Sequence, residues 1–329
     1  MASGKALVIT ASGGTEVFEV QEHAVAAPGP GELVVKLVAT SVNPVDVYVR
    51  TGMYASPSFP KVIGGDLSGH VFLAGEGSKW AVGDAVYALS PAYVPYTTPY
   101  EGTYAEFALV KEEWVSKAPD ASLLPLTHAA GVPLVYLTAL QAFEKAAPTS
   151  GQRVLVLGAS GGVGQFAVQL AKLLFNLHVT AASSAGNAYL VRGLGADEVW
   201  DYSTGAAGLE STFADNKFDI VFDVIGGELL DASAKVLKEG GIITHIMNRG
   251  TGGKDKVYKE AFEAGTGPRF ATTLVQPSGA GLEQARELID AGKLKLKVAL
   301  ELPLEQAGKA HDLVIDGQAH AGGKATLAV

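Results

Sequence analysis

The run Arg153-Val154-Leu155-Val156-Leu157-Gly158-Ala159-Ser160-Gly161-Gly162-Val163-Gly164 constrains this chain more than any other stretch. Val154 to Leu157, all apolar, predict a strand buried on both faces. A glycine-rich turn follows, then Phe166, Leu170, Leu173 and Leu174 at helical spacing. A strand that turns sharply into a helix aims unpaired N–H groups and the positive end of a dipole at whatever binds there. Glycines let a pyrophosphate approach that backbone. Ala159-x-Gly161-x-x-Gly164 keeps the second and third glycines of the dinucleotide fingerprint and has Ala at the first. Ser160, Gly161, Gly162 and Val163 are thus the expected cradle of a dinucleotide.

The same residues also fit G-x-S-x-G, the nucleophile elbow of serine hydrolases, with Ser160 as nucleophile. That reading needs an acid and a histidine downstream, in that order, and Asp223 with His245 or His311 would supply them. Gly164 has no role in an elbow, and no His-Gly-Gly oxyanion segment lies upstream. The nucleotide reading therefore leads, with the hydrolase and a ligand-free tight turn as alternatives.

A chain of 329 residues is long enough for two domains with cores of their own. Apolar residues make up 48% and charged ones 18%, a globular balance, and no apolar run is long enough to span a membrane. The start, Met1 to Ile9, lacks a secretory or transit pattern and moves directly into a strand-like run. A net charge of −9 offers no footprint for nucleic acid. There is no cysteine, which excludes disulfides, thiol nucleophiles and thiolate-held zinc. The seven histidines are scattered, so no metal site is expected. Lys293-Leu294-Lys295-Leu296-Lys297-Val298 predicts a strand with its lysines on one solvated face.

Up to about Pro119 the chain reads as short strands (Lys5–Thr10, Val17–Gln21, Glu32–Ser41, Val71–Leu73) punctuated by Gly, Pro and Asp, a barrel-like or sandwich-like unit. Thr127–Leu140 and Gln141–Ala147 are helical in pattern. Strands and helices then alternate through Phe270–Val275, as in a doubly wound parallel sheet, and the remainder returns to β-texture.

This layout resembles the medium-chain dehydrogenase/reductase superfamily, and particular residues resemble its zinc-independent quinone oxidoreductase branch. They are Asn43-Pro44-Val45-Asp46-x-Tyr48-x-Arg50-x-Gly52-x-Tyr54, Gly83-Asp84-Ala85-Val86, Gly102-Thr103-Tyr104-Ala105-Glu106-Phe107, Thr138-Ala139-Leu140, Gly193 to Val199 and Gly323-Lys324. Within the branch the similarity points to the plant chloroplast-envelope homologues. The resemblance implies an α/β architecture. A GroES-like β-barrel catalytic domain (residues 1–122 and 277–329) would accompany a Rossmann domain (123–276). It further implies NADPH as cofactor, a small apolar enone, enal or quinone as substrate, and a homodimer, with Phe270–Val275 available to pair across its axis. A cytoplasmic or chloroplast location follows, with peripheral membrane contact left open. A non-catalytic NADPH-binding protein of crystallin type is the alternative the resemblance itself offers. Zinc enzymes of the superfamily need a catalytic cysteine, so a zinc alkoxide route is excluded and His70 is read as an ordinary strand residue.

For the cofactor, the strand ending Ala181-Ala182-Ser183-Ser184 carries no carboxylate to bind a ribose 2′-hydroxyl. Ser183 and Ser184 can donate to a 2′-phosphate instead, which favours NADPH. The resemblance adds Tyr202 beside that phosphate and notes Gly186 where relatives often carry Arg or Lys, with Arg192 a substitute or a surface charge. It places Thr138, Ile225, Asn248, Arg249, Phe270 and Lys324 along the rest of the cofactor, Phe270 otherwise packing its strand. Hydride transfer to an enone builds negative charge on a carbonyl oxygen, so a neutral donor is needed there. Tyrosine suits, since its pKa of about 10 keeps it protonated. Tyr48 is the expected polar contact, with Tyr54 and Asn43 beside it; Asn43 alternatively orients the nicotinamide ribose or holds the turn before Pro44. Alternating Val45, Val47 and Val49 would make Tyr48 a wall residue opposite a buried strand face. The aromatic, Pro-rich stretch Tyr93 to Tyr100 is read as one wall of an apolar cleft or as a stiff loop.

Overall fold

The computed structural model of the chain describes residues 1–54, 58–91, 100–246, 254–316 and 322–329. They divide into two units, Met1–Leu137 with Gln276–Val329, and Thr138–Val275.

In the second unit the strand Arg153–Leu157 forms where the apolar run predicts it, and Val154 to Leu157 are wholly buried. Each such side chain contributes about 1.5–3 kcal/mol of burial. Six parallel strands lie in the order Glu198–Asp201, His178–Ser183, Arg153–Leu157, Phe218–Asp223, Leu237–Ile246, Arg269–Thr273. The order reverses beside Arg153–Leu157, the Rossmann switch point at which ligands sit off the carboxyl ends of the strands. Helix Gly162–Leu173 buries Gly164 through Ala171 against the sheet. It can start there because Gly164 has no side chain: a Cβ would lie 2.0 Å from the Gly158 carbonyl oxygen.

The first unit carries a three-stranded sheet, Phe18–Val25, Ala2–Ile9 and Lys61–Val62. A seven-stranded sheet runs Val298–Pro303, Lys324–Ala328, Glu32–Val42, Asp66–Ala74, Ala85–Leu89, Val115–Lys117, with Phe107–Lys111 also on Glu32–Val42. Lys324–Ala328 pairs antiparallel with Ala39–Val42, so the late β-segment completes the sheet begun by the early ones. The two units are thus the GroES-like β-fold and the doubly wound Rossmann sheet that the resemblance implies.

Local expectations differ from the structure in three places. Val45, Val47 and Val49 lie on a helix, Pro44–Arg50, and not on a strand. Pro44 at the first helical position and Asp46 in the first turn are start signals that outweigh three alternating valines. Lys293 to Lys297 alternate in exposure as expected, but the ladder begins only at Val298. The single helix read over Thr127–Leu140 is two, Leu126–Ala129 and Pro133–Ala146, with Pro133 opening the second.

Gly164→Ala is expected to lower the calorimetric unfolding midpoint by about 5 °C or more, because overpacking against backbone costs on the order of 1–3 kcal/mol. Gly161→Ala, whose Cβ would meet the same carbonyl at 3.4 Å, should shift it far less.

Candidate functional site

The glycine turn is held by two backbone bonds, Gly161 N to Gly158 O at 3.1 Å within the turn and Ala159 N to Ala182 O at 3.2 Å on the neighbouring strand. Gly161 caps helix Gly162–Leu173 with no side chain accepting from its first turn, which leaves those amides facing out for an anion. Ser160 is nine-tenths buried and its Oγ accepts from Asn187 Nδ2 at 3.3 Å. Ser183 is buried at the end of the neighbouring strand and pairs in register with Asp201; Ser184 opens the turn after it. Tyr202, 45% exposed, follows Asp201. Ile225, 44% exposed, lies in the turn after Phe218–Asp223, against Gly158. The residues present therefore fit a dinucleotide: an uncapped helix start, a turn with no room for a side chain at Gly158 or Gly164, and hydroxyls at the adjacent strand end.

Phe270 is buried, stacked on His245 at 6.0 Å and on Tyr258 at 5.4 Å, as a member of the core. Thr138 is buried on helix Pro133–Ala146. Asn248, Arg249 and residues 93–99 of the aromatic stretch lie outside the described residues.

The serine-hydrolase geometry is not assembled. Asp223 and His245 do meet, Nδ1 to Oδ2 at 2.7 Å, but His245 Nε2 has no hydrogen-bond partner and so does not touch Ser160. His311 Nε2 is paired with the Tyr104 hydroxyl at 2.9 Å. Ser160 also lacks the strained backbone of an elbow; among the described non-glycine residues only Ala147 and Asn176 have positive φ.

In the first unit the expected residues Asn43 and Lys324 meet in a buried polar cluster. Lys324 Nζ donates to Asn43 Oδ1 at 2.6 Å and to Val42 O at 2.7 Å. Asn43 Nδ2 donates to Asp66 Oδ2 at 2.8 Å. Asp66 also accepts from the Ser41 hydroxyl and, through Oδ1, from Leu134 N at 2.7 Å. Lys324 Nζ, 3.8 Å from Asp66 Oδ2, is the matching cation. Asp46 Oδ2 accepts from Asn43 N at 2.8 Å, which fixes the start of helix Pro44–Arg50. Both ends of the Asn43 side chain are thus engaged within the protein. Tyr48, half-buried on this helix, and Tyr54, whose N–H donates to Tyr48 O at 3.1 Å, share the helix's far end.

That end is held by a second set of buried contacts. Arg50 Nε donates to His311 Nδ1 at 3.3 Å and Arg50 Nη1 to Gly13 O at 2.7 Å. Because a guanidinium only donates, His311 Nδ1 accepts and Nε2 carries the proton toward Tyr104. The roles of Asp66, Tyr104 and His311 are not apparent from the sequence, in which Asp66 reads as part of a Gly-Gly-Asp turn and Tyr104 only as a residue of the resemblance. A depression of about 550 Å³ on this unit lies apart from the cluster, among Gly31, Lys79, Tyr100 and Glu112. No group of three or more His, Asp or Glu side chains arranged to hold a metal occurs among the described residues.

Comparison with known proteins bears on both units. The alcohol dehydrogenase GroES-like domain matches residues 29–120, and the zinc-binding dehydrogenase family matches 194–326. Mitochondrial NAD(P)H oxidoreductase RTN4IP1 of Mus musculus is 34% identical over 339 residues, which cover 91% of this chain and 82% of that protein. The chloroplast envelope quinone oxidoreductase homolog of Arabidopsis thaliana is 34% identical over 324 residues, 95% of this chain and 94% of the relative. The solved quinone oxidoreductase of Coxiella burnetii shares 26% identity, with a TM-score of 0.86 over the whole of both chains.

The buried groups predict opposing pH flanks of stability. Burial pushes the Asp46 carboxyl up to about 7, against the pull of the Asn43 amide and Lys324. The native state then binds that proton more tightly than the unfolded chain does. Its contribution is full below the unfolded value of about 4 and is lost as pH rises toward 7. Burial, then the Arg50 charge, push His311 down to about 3. Its contribution is full above about 6.5 and is lost as pH falls toward 3. In urea unfolding across that range, Asp46→Asn should flatten the decline above about pH 5, and His311→Gln the decline on the acid side.

Proposed function

Because the chain belongs to the quinone oxidoreductase branch of the medium-chain dehydrogenase/reductase superfamily, we propose that it reduces the activated C=C of α,β-unsaturated carbonyls, or quinones, with NADPH and without zinc. The observation that carries the reading is the uncapped helix start at Gly161–Gly162 beside a strand end bearing Ser183 and Ser184 in place of a carboxylate. Its relatives of similar length are NAD(P)H and quinone oxidoreductases, which makes the cofactor a nicotinamide dinucleotide. A carboxylate at that strand end would repel a 2′-phosphate; serine hydroxyls can donate to it. The absence of cysteine removes a thiolate-held zinc ion from the chemistry.

NADPH, when bound, supplies the hydride. The protein's part is to hold the reactants and to meet charge as it develops. Ser160, Gly161, Gly162 and Val163 would hold the diphosphate at the helix start, with Ser183, Ser184 and Tyr202 at the adenosine end. Thr138, Ile225, Asn248 and Arg249 would line the remainder, and Phe270 would back the strand it packs. Tyr48 donates its hydroxyl hydrogen to the acceptor's oxygen as negative charge gathers there, with Tyr54 beside it. Asn43 and Lys324 act one layer further in: their mutual bond and their hold on Asp66 fix the start of the helix that presents Tyr48.

NADPH oxidation measured over quinones, short enals and long-chain enones, with product identification, tests the reaction; binding without turnover across the panel overturns it. A kcat/KM favouring NADH overturns the cofactor assignment. Tyr48→Phe should lower kcat roughly a hundredfold, the usual loss when an oxyanion donor is removed. An effect under about threefold reduces Tyr48 to a wall residue. A Cβ on Gly186 would meet nothing within 4 Å. Gly186→Arg should therefore strengthen NADPH binding by about tenfold, one charge-assisted contact to phosphate, with little change for NADH.

A further inference from the structure

His245 and Asp223 form a buried pair for which the proposed chemistry has no use. Both side chains are fully buried, and they sit side by side in register on adjacent parallel strands. Asp223 Oδ1 accepts from Ile225 N at 2.9 Å and Gly226 N at 3.0 Å, and Oδ2 accepts from Gly226 N at 3.1 Å. With those amides already donating to it, the carboxylate receives one more hydrogen, from His245 Nδ1 at 2.7 Å. Nδ1 then carries the proton and Nε2 presents a lone pair that no group meets among the described residues.

A histidine placed there only to fill the core would be poorly chosen. It stacks on Phe270, a member of an apolar core cluster, and an unpaired nitrogen there costs stability that an apolar side chain would not. The ring is also fixed without using Nε2, since it stacks on Phe270 at an interplanar angle of 24°. What the imidazole does do is hold the Asp223 carboxylate. That carboxylate gathers in a turn in which Gly226 and Gly227 both hold positive φ, 76° and 63°, a conformation that other residues rarely adopt. The turn is packed on the dinucleotide cradle. A Cβ added to Gly158 would lie 2.6 Å from Val224 Cγ2 and 2.9 Å from Ile225 Cδ1.

The geometry points to His245 as a positioning residue for the cofactor site: through Asp223 it sets the Val224–Gly227 turn against Gly158, and so the shape of the cradle. This rests on the reading of the Gly158–Gly164 turn as the dinucleotide site and extends it to a residue that touches no ligand.

Calorimetric NADPH binding, run beside circular dichroism and thermal midpoints, tests it. His245→Leu removes the donor and should weaken binding roughly tenfold, within the range for residues that couple to a site without touching it. His245→Asn, whose amide can stand in for Nδ1–H while discarding the unpaired nitrogen, should restore affinity to within about threefold. Asp223→Asn/His245→Leu together should cost no more than the larger single change, since both act through one turn. Nitrogen-15 NMR of the unaltered protein should show His245 protonated at Nδ1 and bare at Nε2, which decides the matter if the leucine variant fails to fold. Equal affinity of the leucine variant and the unaltered chain, or failure of asparagine to rescue, overturns the inference; so does a proton on Nε2. No NADPH binding by the unaltered chain overturns the proposed function, and this inference with it.

Discussion

The contact between the Gly158 carbonyl and the Cα of Gly164 governs the nucleotide-binding unit. It leaves no space for a side chain, and so lets the first turn of helix Gly162–Leu173 rest on the end of strand Arg153–Leu157. From that approach follow the burial of Gly164 through Ala171, the outward face of the helix's first amides, and the site's place at the switch point of the sheet. Gly158 also receives the turn held by Asp223, so one glycine adjoins two structural devices.

The β-rich unit is organised around a different constraint, a buried carboxylate that must be satisfied. Asp66 is wholly inaccessible and collects donors from Ser41, Asn43 and Leu134, with Lys324 as its nearby cation. Such groups are costly to bury alone and specific once paired. Satisfying Asp66 brings together strand Glu32–Val42, the start of helix Pro44–Arg50 and strand Lys324–Ala328. Arg50, His311 and Tyr104 do the same for the helix's other end. Tyr48 is thus carried on a short helix anchored at both ends, the condition under which a hydroxyl can be placed for catalysis.

The fold was legible where sequence pattern and local geometry coincide. Val154 to Leu157, Gly161 and Gly164 specify strand, turn and helix within a dozen residues, and the strand–helix alternation after them specifies the sheet. The Asn43–Lys324 bond was legible only as two motif residues, because nothing local reports a contact across 281 positions. Helix Pro44–Arg50 is hard to read from sequence because in seven residues three valines mimic a period of two, while Pro44 and Asp46 hold the deciding information. Asp223 and His245 were noticed for their order in the chain. Their pairing was correct, yet the open Nε2 and the relaxed backbone of Ser160 separate them from any nucleophile.

The pairing of Lys324–Ala328 with Ala39–Val42 also bears on how the protein is made. Residues 138–275 form a contiguous unit of parallel strands and crossover helices, complete as soon as they have left the ribosome. The β-rich unit must wait: Lys324 bonds to Val42 across 282 intervening steps of chain, and until it arrives Asp66 lacks its cation. Contacts this distant in sequence close slowly and leave edge strands open in the interim. Truncation short of Lys324 would therefore leave the Asp66 carboxylate without its cation in an incomplete core.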